Sequence, residues 1–82
     1  MIINDYKYKV SWCPVCNQGW VEIVKLIETN QLLCCCGECD SQWSTPDNIN
    51  LMNVVNIQGL VCEPNYYEID QKGWTQYIDR ID

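Results

Sequence analysis

Two cysteine pairs constrain this chain more than anything else in it. Cys13-Pro14-Val15-Cys16 and Cys36-Gly37-Glu38-Cys39 are C-x-x-C units separated by residues 17–35, a gap of 19. That gap lies within the range of about 15–20 residues expected for a four-cysteine zinc site. Two residues between thiolates let a tight turn aim both sulfurs at one ion about 2.3 Å away, and tetrahedral Zn(II) accepts two such pairs. Glycine tolerates backbone angles that other residues avoid, so Gly37 is expected to close the second turn and Gly19 to do similar work beyond the first.

Size explains why a metal is needed. At 82 residues the chain makes one domain, 1–82. A domain of this size buries only about 60–65% of its unfolded surface, so its apolar core alone is marginal and a staple is usual. Seven cysteines offer disulfides or metal ligation, and an odd number argues against a complete disulfide framework. The first nine residues hold no apolar stretch of signal-peptide length, and Asp5 precedes the first base, Lys7. No apolar run approaches the ~20 residues of a membrane span. The expected setting is cytoplasmic, where thiols stay reduced and clustered cysteines mean metal.

Between the pairs, Val21-Glu22-Ile23-Val24-Lys25-Leu26-Ile27 is β-branched with partial alternation and reads as a strand. Glu28-Thr29-Asn30-Gln31 reads as a turn, with Asn30 able to take a left-handed conformation. Leu32-Leu33-Cys34-Cys35 then returns as a second strand and delivers Cys36 to the metal. Alternation places Cys34 on the same strand face as Cys36 and Cys35 on the other. Only Cys36 stands three before Cys39, so Cys34 and Cys35 are expected to pack, as is the distant Cys62.

These residues resemble the zinc-ribbon superfamily, in particular small bacterial proteins that begin with a Cys-Pro-x-Cys knuckle. The likeness rests on Cys13-Pro14-Val15-Cys16 with Gly19 and on Cys36-Gly37-Glu38-Cys39-Asp40 followed by Trp43, and it covers about residues 12–44. It implies a zinc-ribbon β-hairpin over about 10–44; the tail, 45–82, is too short and too rich in apolar residues to stand alone and is expected to pack on it, giving a small α+β fold. It specifies fold better than function, since ribbons serve many roles.

The tail is expected to hold one or two short helices. Thr45-Pro46-Asp47 is a helix start, with Thr45 as cap, Pro46 in the first position and Asp47 favoured by the dipole. Residues 52–57 fit either a short strand or part of that helix. Asn65 and Glu68 have capping-box spacing, and Gly73 can end a helix running to Lys72. Trp74, Tyr77, Ile78 and Ile81 fall on one helical face. Trp12 and Trp43 flank the knuckles and are expected to shield the metal, while Trp20 and Trp74 are expected in the core between ribbon and tail.

Charge sets the choice of partner. Net charge is −6; through residue 27 three bases face two acids, and beyond it two bases face nine acids. No base lies between Lys25 and Lys72. Four thiolates on one Zn(II) would add −2, so the field opposes nucleic acid, whose binding needs a positive footprint. The absence of histidine removes the imidazole base, and no glycine-rich phosphate loop is present. A saturated tetrathiolate offers no open position, so the ion is expected to be structural and the protein not an enzyme.

The expectation is a protein-binding module: an acidic, metal-stapled scaffold that covers a basic protein, as an immunity protein covers a nuclease toxin. The surface expected to carry it is Glu38, Asp40, Asp47, Glu63, Glu68 and Asp70 with Tyr66 and Tyr67. The alternative is an adaptor docking on a transcription or translation complex.

Overall fold

The computed structural model describes residues 8–57 and 59–78. A five-stranded antiparallel sheet organises them: β1 (Lys9–Trp12), β2 (Trp20–Leu26), β3 (Leu32–Cys36), β4 (Gln42–Trp43) and β5 (Val61–Cys62). One helix follows, α1 (Tyr66–Lys72), with single 3-10 turns at Pro46–Asn48 and Thr75–Tyr77. The order is β1-β2-β3-β4, and β5 also pairs with β2. β1 meets the start of β2 at Trp20, Val21 and Glu22, and β5 meets its end at Lys25 and Leu26.

The β2–β3 hairpin follows from the sequence. Its register sets Val21 opposite Cys36, Glu22 opposite Cys35, Ile23 opposite Cys34 and Val24 opposite Leu33. The turn closes with Asn30 at φ 63°, where its amide N–H donates to the Leu26 carbonyl at 2.8 Å. Alternation then divides the side chains. One face carries Val21, Ile23, Leu32, Cys34, Cys36 and Trp43 into a core shared with Cys13, Ile69 and Trp74. The other buries Val24, Leu26 and Leu33 against Cys35, Ile57 and Val61. With both faces covered, β2 and β3 read as nearly continuous apolar runs, which is why their alternation looks only partial.

Ile69 and Trp74 fix the tail to the ribbon through that first core. Ile69 is fully buried from the middle of α1. The helix is defined at both ends by its own sequence. Asn65 Oδ1 accepts from the Glu68 amide at 2.8 Å, and the Asn65 amide donates to Glu68 Oε1 at 2.9 Å. Gly73 terminates the helix at φ 79°, and its amide donates to the Asp70 carbonyl.

Elsewhere the tail departs from expectation. Pro46 starts only one 3-10 turn, and Thr45 makes no capping bond to the backbone; its hydroxyl goes to Asp47 Oδ1. Residues 52–57 form neither helix nor strand. Val55 makes one bridge to Gln42, and the Gln42 side-chain oxygen accepts from the Ile57 amide at 2.7 Å. The helical face anticipated from Trp74 onward is replaced by the 3-10 turn Thr75–Tyr77, with Trp74 as its N-cap. Trp74 itself is drawn into the core, so the sheet and not the helical period fixes its direction. Ile81 lies outside the described residues.

Candidate metal centre

The two cysteine pairs sit in copies of one local structure. In the first, the Asn17 amide donates to the Cys13 carbonyl at 3.1 Å; in the second, the Asp40 amide donates to the Cys36 carbonyl at 3.2 Å. Asn17 (φ 56°) and Asp40 (φ 63°) are both left-handed. Asn and Asp enter that region more readily than other side-chain-bearing residues. Gly37 and Gly19 are not in it, so the expected division of labour is corrected: the residue after each second cysteine supplies the unusual backbone angle. The sequence signal was present, an amide or acid directly after Cys16 and Cys39.

Gly19 is required for a different reason. A Cβ there would lie 2.4 Å from Glu38 Cγ, 2.9 Å from Glu38 Cβ and 3.4 Å from Cys36 Sγ. The first knuckle's exit strand passes against the second knuckle, and only a missing side chain leaves room. β1 and β2 carry the first pair, while β3 and β4 carry the second; the Cys13 amide donates to the Gly19 carbonyl and the Cys36 amide to the Ser41 carbonyl.

The hairpin brings the four sulfurs together. Cys13, Cys16, Cys36 and Cys39 Sγ atoms all lie within 4.8 Å of one another. Cys13 and Cys39 sulfurs are 3.7 Å apart, as are those of Cys16 and Cys36. A tetrahedron with metal–sulfur bonds of about 2.3 Å has edges of about 3.8 Å. The spacing therefore matches four thiolates positioned to hold one metal ion. Backbone amides point at the sulfurs in the same pattern: Val15 N–H to Cys13 Sγ at 3.4 Å, and Glu38 N–H to Cys36 Sγ at 3.3 Å. Such donors stabilise thiolate charge and orient the ligands.

Burial distinguishes the four. Cys13 and Cys36 are inaccessible, Cys16 is half-buried and Cys39 is exposed. Burial pushes the Cys36 thiol far up, against the lowering effect of the Cys39 and Glu38 amides. At Cys39 burial also raises the thiol, but hydrogen bonds from the Ser41 hydroxyl and amide, and from Cys36 and Cys13, outweigh it and bring it down to about 7. A divalent cation reverses the penalty for charge at the buried positions, because it compensates all four thiolates at once.

The remaining cysteines lie apart from this cluster. Cys34 is fully buried in the first core, beside Trp43 in the β3–β4 ladder. Burial, then repulsion from Cys35 and Asp47, pushes its thiol up to about 12. Cys35 faces the opposite core, and burial with Asp40 and Glu22 nearby raises it to about 11. Both stay protonated near neutrality. Cys62 is half-buried in β5 opposite Lys25.

The tryptophans divide differently from the expectation. Trp43 is fully buried against the cysteine core, and its Nε1–H donates to the Asn50 carbonyl at 2.8 Å. Trp12, in contrast, is 45% exposed; it donates to Asn17 Oδ1 at 2.7 Å and meets Trp20 edge-on at 5.3 Å. It braces the first knuckle through Asn17. Trp74 joins the core, whereas Trp20 stays half-exposed.

The acidic residues lie on several elements. Glu38 and Asp40 are exposed on the second knuckle, next to the thiolates. Asp47 is exposed in the first 3-10 turn, and Glu63 follows β5. Tyr66, Tyr67 and Asp70 are exposed on α1. Glu68 is committed internally: Oε2 pairs with Lys25 Nζ at 2.8 Å while Oε1 completes the helix cap. A cleft of about 330 Å³ runs between α1 and the β2–β3 turn, lined by Asn30, Gln31, Leu32, Tyr67, Glu68, Gln71 and Lys72. Its one carboxylate, Glu68, is already paired with Lys25. Among the described residues no helix is long and apolar enough to cross a membrane.

Compared with known proteins, the chain matches no protein-family model, no curated protein and no solved structure.

Proposed function

We propose that this chain is a non-catalytic zinc-ribbon protein that binds a basic protein partner, as an immunity-type inhibitor of a nuclease toxin. The observation that carries the metal part is the clustering of four cysteine sulfurs within 4.8 Å of one another, with two pairs at 3.7 Å. An all-thiolate tetrahedral set selects Zn(II) or iron, and the zinc-ribbon likeness of the knuckles favours Zn(II). Four sulfurs fill the shell, so the ion would staple two knuckles and leave no position for water or substrate.

Support for the partner comes from charge and exposed aromatics. The net charge is −6 before any metal, and Glu38 and Asp40 sit beside a centre that would carry −2. Tyr66 and Tyr67 add exposed rings on α1, near Asp70. Opposite charge accelerates association with a basic protein, and a stapled scaffold loses little entropy on docking.

Affinity capture from the native organism, with mass spectrometry of the partner, tests the reading. Recovery of a basic nuclease whose activity the chain blocks at equimolar ratio is the expected outcome. Polymerase or ribosomal components in its place would support the adaptor reading, and tight, salt-sensitive binding to random DNA would overturn the electrostatic argument. Metal analysis should give about one zinc per chain, colourless; iron would show visible absorption.

A further inference from the structure

The four sulfurs are chemically alike but sterically unequal. Cys13 and Cys36 lie at 0% exposure beneath the knuckles, and Cys16 is half-buried. Cys39 is the most exposed residue of the four. Its sulfur lies 3.2 Å from Ser41 Oγ and 3.7 Å from Cys13 Sγ. A thiolate that solvent can reach, with a second thiolate directly behind it, is the arrangement from which an oxidant makes a disulfide.

We propose that Cys39 is a modification site, the thiolate at which hydroperoxides oxidise the metal centre, joining Cys39 to Cys13 and releasing the ion. The inference rests on the zinc assignment above. In the first step Cys39 sulfur attacks the terminal peroxide oxygen; an S–O bond forms, the O–O bond breaks, and the alkoxide, or hydroxide from hydrogen peroxide, leaves and takes up a proton. The sulfenic acid is a poor ligand, so the ion loses one sulfur. In the second step Cys13 sulfur attacks Cys39 sulfur; an S–S bond forms, the S–O bond breaks, and hydroxide leaves as water. Two sulfurs together lose two electrons and one hydroperoxide is reduced by two. With hydrogen peroxide the products are the disulfide and two waters.

Geometry selects this pair. The other close contact, Cys16 to Cys36, joins a half-buried residue to a fully buried one, whereas Cys39 is an exposed residue. Cys34 is sealed in the core, and Cys35 and Cys62 are half-buried outside the four-sulfur cluster. The disulfide would bridge the two knuckles and leave only Cys16 and Cys36 as ligands, too few to hold a structural zinc. Since Cys13 and Cys36 belong to the same core as Ile69 and Trp74, loss of the ion would loosen the tail as well as the knuckles.

The test treats the zinc-loaded full chain with hydrogen peroxide. Zinc release is followed with a chromogenic chelator, and peptides are mapped after trapping with a dimedone-type sulfenic acid probe. The first adduct is expected on Cys39, followed by a Cys13–Cys39 disulfide that grows in step with zinc release. Dithiol reductant plus zinc should restore the starting protein. Cys62→Ser should release zinc within about twofold of the native rate. A first adduct on Cys16, Cys35 or Cys62, a first disulfide within either C-x-x-C unit, or oxidised Cys39 with zinc retained would overturn the proposal. Protein that holds no zinc before peroxide is added overturns the metal assignment and this proposal with it; zinc bound but oxidised elsewhere overturns the proposal alone.

Discussion

Gly19→Ala probes the contact between the knuckles most directly. The added Cβ would sit 2.4 Å from Glu38 Cγ and 2.9 Å from Glu38 Cβ. The Cγ contact can be relieved by rotating an exposed side chain. The Cβ contact cannot, because Cβ moves only with the backbone of the second knuckle. That backbone places Cys36 and Cys39, so the strain falls on the metal ligands. Overpacking of this kind costs about 1–3 kcal/mol. Expressed through zinc binding, this corresponds to a loss of about 5- to 150-fold in competition against a chelator. Gly19 has an ordinary backbone angle, so nothing in φ adds to the cost. A paired series separates the two contacts. Glu38→Ala in the Gly19→Ala background removes only the Cγ clash, while Glu38→Gly removes both and leaves the 3.4 Å approach to Cys36 Sγ. Recovery should therefore be small with alanine and large with glycine. Chelator competition and denaturant unfolding at fixed free zinc would measure it. A neutral Gly19→Ala, or a double variant with Glu38→Gly no better than Gly19→Ala alone, would refute the reasoning.

Four further outcomes follow from the same geometry. Cys36→Ser should lose the metal, whereas Cys35→Ser should retain about one ion per chain by metal analysis, because Cys35 lies on the opposite sheet face. A strong chelator should unfold the zinc-loaded chain, seen as loss of the near-ultraviolet signal of buried Trp43 and Trp74, since metal binding supplies folding free energy in domains this small. Asn65→Ala should cost about 1 kcal/mol in denaturant unfolding, as it removes the cap of α1. Lys25→Met should lower stability at pH 7: the Lys25 hydrogen bond and the Asn65 amide hold the Glu68 carboxyl below its ordinary value, and Glu68 holds Lys25 above its own. The Glu68 part is present above the unfolded carboxyl value of about 4.3 and is lost as pH falls through the lowered folded one. The Lys25 part is present below about 10.4 and is lost as pH rises through the raised folded one. The difference between variant and native chain should thus be largest between those limits and close outside them; a gap that persists in acid would contradict the ion pair.

The sequence by itself determined the metal cluster, the hairpin and α1. In each case the determining information is local. Two residues between thiolates set the turn, Asn30 set the hairpin reversal, and Asn65, Glu68 and Gly73 define one short helix with bonds made inside it. The assignment of Cys34 inward with Cys36 and of Cys35 to the other face needed only the period of a strand.

Tertiary structure decided what depends on partners distant in sequence. Residues 52–57 carry β-branched side chains, yet their backbone pairs with the short edge strand β4 at Gln42, so one bridge and one side-chain bond replace a ladder. The segment from Trp74 has a helical period, but burial of Trp74 against the sheet outweighs it and leaves one 3-10 turn. The sequence groups Glu68 with the other acids, but Lys25, 43 positions away in sequence, takes one oxygen and the helix cap the other. The metal cluster itself shows both kinds of information. Spacing named Cys13, Cys16, Cys36 and Cys39, but which sulfur is sealed and which meets solvent depends on the core that β3 and α1 build over three of them. Exposure is a property of the whole packed chain, and no local pattern encodes it.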